Sequence, residues 1–216
     1  MRIEDLARLT FPLVASFAMF ACAPGQPESD EYDDTEEESS ERDDAIIGGS
    51  VASAYPEAVL IEMKQNGVVT SICSGSLIAP KVVLTAGHCV HGFTGWNVTA
   101  PFAQNQKATS TSGETYDWNN DGQFVDPNQH DVGLIFLSKA INLSSYPTVA
   151  TSQVTIGSKV QNIGRINNGT ASYSKLYIGP PVTTKKGSSY GFPFDYATSE
   201  TIQSGDSGGP VVVPGT

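Results

Sequence analysis

Apolar residues in this 216-residue chain come in short runs, and Gly, Asn, Ser and Pro separate one run from the next. Val82-Val83, Leu134-Ile135-Phe136-Leu137 and Val211-Val212-Val213 are of this kind. No long stretch repeats its apolar positions at the helical spacing, so the pattern predicts strands. Glycine and β-branched residues are plentiful, and short strands between turn residues predict an all-β barrel architecture. The length suits one large or two small domains.

The first 45 residues break this pattern in two ways. Residues 11–21 form one apolar run, too short to span a bilayer and flanked upstream by Arg2 and Arg8, which reads as an export signal. Two readings of its end stand. Cleavage after Ala21-Cys22-Ala23 would put Pro24 directly behind the cut, which signal peptidases disfavour. The alternative takes Cys22 as a lipoprotein cysteine within a relaxed lipobox, and this is the expectation adopted. Residues 28–44 then carry eleven Asp or Glu against Arg42 alone, a net of −10 out of −11 for the chain. Such a segment buries nothing and predicts a solvated, disordered tether. The expected organisation is a signal over 1–22, an acidic linker or propeptide over 23–45 and a globular domain over 46–216. That domain has a net charge of −1, so no nucleic-acid partner is expected.

The strongest chemical signal is Gly205-Asp206-Ser207-Gly208-Gly209-Pro210. Glycines let the backbone turn tightly and aim N–H groups at one point. A hydroxyl beside converging N–H donors suits acyl transfer, in which an oxyanion forms next to the nucleophile. A serine also needs a base. His88 lies in Leu84-Thr85-Ala86-Gly87-His88-Cys89, and Asp131 opens the apolar stretch of residues 131–137, which reads as a buried strand. A carboxylate there can fix the tautomer of an imidazole and stabilise its cation. Each residue alone also has a plain structural reading: a packed histidine, a strand-end charge, a tight loop. His91 and His130 lie in no motif and read as surface residues.

These three segments, in the order His, Asp, Ser, resemble the trypsin/chymotrypsin-like serine peptidases. So do Ile46-Ile47-Gly48-Gly49, similar to the family's mature N-terminus, and Cys73-Ser74-Gly75-Ser76-Leu77-Ile78, similar to its first core hairpin. The resemblance runs from Ile46 to the last residue. It implies two six-stranded Greek-key barrels with the site between them. It implies a triad of His88, Asp131 and Ser207, an oxyanion hole from the N–H groups of Gly205 and Ser207, and a Cys73–Cys89 disulfide. The third cysteine, Cys22, is then left for lipidation. The resemblance further implies a zymogen cut before Ile46, whose new ammonium pairs with Asp206. Ala45 precedes the cut, so the activating protease, or the chain itself by autolysis, must accept a small residue.

The chain departs from the family pattern at several points. Family members continue for some tens of residues beyond the nucleophile, so a fragment with an incomplete second barrel is expected. Gly87 replaces an alanine, which predicts a mild loosening of the backbone. Gln203 stands where many members have a bracing cysteine, and Gly-Trp-Gly is represented only by Ile163-Gly164-Arg165. Six residues before Ser207, at the base of the family's specificity pocket, lies Thr201. A hydroxyl there does not pair with Lys or Arg, so small or apolar residues are expected before the scissile bond.

The expected function is therefore an exported serine endopeptidase acting on proteins or peptides, monomeric, with no cofactor and no metal. Its one expected membrane attachment is the lipid on Cys22. A non-catalytic binding module on the same fold is the alternative. Asp117-Trp118-Asn119-Asn120-Asp121-Gly122 has the alternating oxygens of a calcium loop, but its twelfth position is Asn128, and it reads as a solvated turn.

Overall fold

The structure, a computed structural model, describes residues 49–119, 126–199 and 202–215. The expectations for Cys22, the acidic segment, Ile46, Thr201 and Asp121 lie outside these residues. Among the described residues the chain forms sixteen strands and two single-turn 3-10 helices, the all-β class that the pattern predicts.

After β1 (Ser50–Val51), the first half comprises β2 (Ala58–Gln65), β3 (Val68–Ala79), β4 (Val82–Thr85), β5 (Gly95–Ala100), β6 (Gln106–Ser110), β7 (Ser112–Thr115) and β8 (Gly133–Phe136). The sheet order is β6-β5-β2-β3-β4-β8-β7. Its two outermost strands are consecutive in the chain with only Thr111 between them, so the sheet curls round upon itself. Counting β6 and β7 as one strand bent at Thr111 recovers the expected six.

β2 explains how this barrel joins the rest. Its side chains alternate between faces. Val59, Ile61 and Met63 enter the first core beside Cys73, Leu77, Val83, Val98 and Ile135. Ala58 and Leu60, on the opposite face, enter a second core with Ala52, Ile163 and Leu176. Both faces are therefore buried, which is why β2 reads as a continuous apolar run rather than as an alternation. The β2–β3 turn is Asn66-Gly67, with φ of 51° and 84°. Two successive residues in the left-handed region make the tight hairpin for which Asn-Gly is the preferred pair.

The second half contains β9 (Lys159–Gly164), β10 (Ile166–Asn167), β11 (Thr170–Ala171), β12 (Tyr177–Ile178), β13 (Val182–Thr183), β14 (Lys185–Lys186), β15 (Tyr196–Ala197) and β16 (Val211–Val212). β9 organises it, pairing with β12, β13 and β16, while β1 pairs with β12. These five strands make one sheet, and β10–β11 and β14–β15 are separate ribbons. The loop before β16 carries Gly205 to Pro210, so Ser207 is hung between the two sheets.

Candidate active site

β4 delivers the chain to Ala86, and a 3-10 turn, Gly87–Cys89, follows. Cys89 is bonded to Cys73 on β3, as the resemblance implies. The turn is further held by Trp96 Nε1, which donates to Cys89 O at 2.9 Å. His88 projects from this turn. Its backbone N–H donates to Asp131 Oδ1 at 2.8 Å, and its Nδ1 lies 2.7 Å from Oδ2 of the same carboxylate. An ionised carboxylate only accepts, so Nδ1 carries the proton and Nε2 keeps its lone pair. Both side chains are about one-third exposed, His88 at 35% and Asp131 at 28%, so the pair is open to a substrate. Asp131 sits in the connection before β8, two residues short of the strand that the apolar pattern places it in.

Gly87 has a different role from the loosening expected of it. A Cβ there would lie 2.7 Å from Trp118 Cβ and 3.2 Å from Asp131 Oδ1. The missing side chain lets Trp118 pack beside the His88–Asp131 pair, with its ring 6.2 Å from the His88 ring.

The Ser207 loop docks on the first barrel. Ser74 N–H donates to Ser207 O at 2.8 Å, and Ser74 Oγ donates to Gly205 O at 3.0 Å. Ser207 O also lies 3.8 Å from Cys89 Sγ, a contact without a donor because that sulfur is in the disulfide. The nucleophile candidate is thus held beside the turn that carries His88. Its Oγ makes no hydrogen bond among the described residues. Bonds between a nucleophile and its base are often long in free enzymes and tighten with substrate bound. The N–H groups of Gly205 and Ser207 have no acceptor among the described residues. Gly208, at φ 75°, closes the turn. A side chain there would overlap Thr85 Oγ1 and lie 2.6 Å from Ala86 N.

Asp206, next to Ser207, is buried at 4% exposed. Oδ1 accepts from Ile166 N–H at 2.8 Å and Oδ2 from Gln203 N–H at 3.0 Å. Burial pushes this carboxyl up. Backbone N–H bonds from Gln203, Ile166 and Arg165, and the Arg165 charge, pull it part of the way back. Gly164 is required here too, because a Cβ on it would overlap the Asp206 carboxylate.

Residues that the sequence reading passed over surround the site. His130 repeats the geometry of His88: its N–H and Nδ1 both meet the Asp117 carboxylate, each at 2.7 Å. The His130 ring stacks on Phe194 at 4.3 Å and meets the edge of Tyr116 at 5.1 Å. It lies at the surface as expected, with its side chain 37% exposed, but is held by these partners. The bond from His130 holds the Asp117 carboxyl below its ordinary range. This carboxylate is engaged by the His130 imidazole. Asp195 is pushed up, first by burial and then by the Asp131 charge. Cys73, Cys89 and His88 cluster within 4.8 Å, but disulfide sulfurs offer no thiolate to a metal.

Comparison with known proteins fits this geometry. The sequence profile of the trypsin family matches residues 46–216. Trypsin I-P1 of Gallus gallus is 31% identical over 204 residues, covering 82% of this chain and 77% of the relative. The phenoloxidase-activating enzyme of Bombyx mori is 49% identical over 51 residues, which is 23% of this chain and 12% of that protein. Among solved structures, mouse neuropsin superposes with a TM-score of 0.60 at 21% identity, covering 78% of this chain and 82% of its own. Human heparin binding protein superposes with a TM-score of 0.57 at 23% identity, covering 78% and 80%.

Proposed function

The chain belongs to the trypsin family, and from that premise we propose that it is an exported serine endopeptidase. Ser207 Oγ attacks the scissile carbonyl carbon while His88 Nε2 takes the hydroxyl proton. Asp131 keeps Nδ1 protonated and stabilises the imidazolium that forms. The carbonyl oxygen becomes an oxyanion and is received by the N–H groups of Gly205 and Ser207. His88 then returns the proton to the departing amine. A water, activated by the same imidazole, hydrolyses the acyl-enzyme and restores Ser207. The observation that carries this reading is the double hydrogen bond from His88 to Asp131, on a turn that also contacts the Ser207 carbonyl. A fluorophosphonate probe tests it: the mature chain should be labelled at Ser207, and both Ser207→Ala and His88→Ala should remove the label. An unlabelled wild-type chain would favour the binding-module alternative.

The enzyme is made as a zymogen in this reading. Cleavage before Ile46 frees an ammonium that pairs with Asp206, a buried carboxylate in need of a counter-charge. N-terminal analysis of the active form should begin at Ile46. Full activity with residues 28–45 still attached would overturn that step. Export follows from the apolar run of residues 11–21 and agrees with a disulfide, which persists in oxidising compartments. Lipid on Cys22 would appear as acyl mass on the first residue of the processed chain, and an unmodified Cys22 would exclude the anchor.

A further inference from the structure

Arg165 is 1% exposed and is the bulkiest of the fully buried side chains among the described residues. It sits between β9 and β10 in the second half of the fold. Its guanidinium reaches into the first barrel, where Nη1 donates to Ile61 O on β2 at 3.0 Å and to Cys73 O on β3 at 3.2 Å. Nε donates to Ser172 O at 2.9 Å, and the guanidinium lies over the Tyr173 ring at 5.1 Å. The stem runs beneath the nucleophile loop, and a Cβ on Gly205 would stand 3.4 Å from Arg165 Cδ. The backbone of residues 164–166 cradles the Asp206 carboxylate.

A buried cation is costly unless something nearby needs it. Its hydrogen-bonded partners here are neutral carbonyls. Burial works against its charge, and the carboxylates whose charge favours it are Glu62 on β2 and Asp206. An arginine keeps its charge inside a protein, so this positive field is permanent. We propose that Arg165 is a positioning residue that bolts the Gly205–Ser207 loop to the first barrel and serves as a fixed internal counter-charge to Asp206. It does so in addition to the terminal ammonium expected in the mature enzyme. The inference rests on the proteolytic reading only where it refers to catalysis.

The test uses the full chain and two substitutions. Arg165→Met keeps the stem and removes the charge and donors; Arg165→Lys keeps the charge and loses the planar fork. Arg165→Met should slow fluorophosphonate inactivation and lower kcat on an ester substrate by on the order of 10²-fold, as a misplaced reacting group does, with KM little changed. Its acid limb should also move to higher pH, because Asp206 loses the charge that favours its ionised form. Arg165→Lys should restore the acid limb but not the full rate. A wild-type rate and pH profile in Arg165→Met would overturn the proposal, and so would a loss of rate with the acid limb unmoved. Amide exchange in a Ser207→Ala background needs no activity and covers the case in which Arg165→Met does not fold. There Arg165→Lys should speed exchange over residues 203–209 by about tenfold or more, the effect of losing one hydrogen bond from a charged donor, with β2 unchanged. Unchanged exchange over 203–209 overturns the proposal even if the wild-type chain proves inactive.

Discussion

Asp131 accepts two hydrogen bonds from one residue, the backbone N–H of His88 at 2.8 Å and its ring Nδ1 at 2.7 Å. The first bond fixes where the 3-10 turn sits and the second fixes how the ring is turned. A single carboxylate therefore helps to fix both the position and the tautomer of the imidazole. Asp131→Asn would keep the size of the side chain but present an NH₂ to one of two donors. It should lower kcat by roughly 10⁴-fold, the effect of a wrong tautomer, and leave KM nearly unchanged. Steady-state kinetics on an ester substrate measures both, and a loss below tenfold would show that His88 is oriented by other groups.

Two glycines with similar backbone angles should respond differently to alanine. Gly67 has φ 84° and open space around its missing side chain, whereas Gly208 has φ 75° and Thr85 and Ala86 against it. Gly67→Ala should cost only the left-handed strain, about 1–2 kcal/mol, and leave activity intact. Gly208→Ala must displace the nucleophile loop from β4 and should abolish fluorophosphonate labelling. Thermal melts and labelling, run side by side, separate the two.

The Cys73–Cys89 bond closes a loop with a sequence separation of 16. Replacing both cysteines by alanine should lower stability by about 3 kcal/mol in the chain-entropy model. Activity should fall further than stability alone explains, because Cys89 adjoins His88 and Cys73 adjoins Ser74. Denaturant titration and kcat on the same preparation check this. A variant that loses stability but retains full kcat when folded would show that the bond does not set the site.

Acid should release the His130–Asp117 pair. The Asp117 carboxyl is held below its ordinary value of 3.8 by the His130 hydrogen bond. A lowered folded value means stability that is present above 3.8 and lost as pH falls through the folded value. Asp117→Asn should therefore melt below the parent at about pH 6, and the difference should shrink as pH falls below the ordinary carboxylate value. Parallel melting curves across that range would remove the pairing as a source of stability.

In the proposed enzyme specificity turns on Thr201, which by the family pattern is expected at the base of the pocket. With a hydroxyl there, a peptide library should show cleavage after small or apolar residues. Dominant cleavage after Arg or Lys would instead place the adjacent Glu200 at that position.

What was legible in the sequence and what was not follows from how local each signal is. Ser207, His88 and Asp131 each lie inside a short string whose neighbours are as telling as the residue itself. The Asn66-Gly67 pair, not singled out in the sequence, is an equally local signal that the turn geometry brings out. Arg165 left no such mark. Its partners are carbonyls of residues 61, 73 and 172, and a backbone carbonyl has no letter in a sequence. The double burial of β2 shows only as an apolar run, which does not say which side chain enters which core. The role of Gly87 waits on Trp118, a residue from a distant loop. His130 looks free because its anchor, Asp117, is thirteen positions upstream.

Ser207 follows His88 by 119 residues along the backbone. The bond network offers a far shorter route, from His88 to Cys89, across the disulfide to Cys73, on to Ser74 and over one hydrogen bond to the Ser207 carbonyl. The spacing of His88 and Ser207 is thus surveyed over a few residues, with Asp131 adding a fix on His88 from the intervening chain. Loops between residues 89 and 205 that leave Asp131 and Arg165 in place can be lengthened, shortened or exchanged without entering that measurement. In the proposed enzyme, a scaffold built this way can vary the surface that meets a substrate while its reaction chemistry stays fixed.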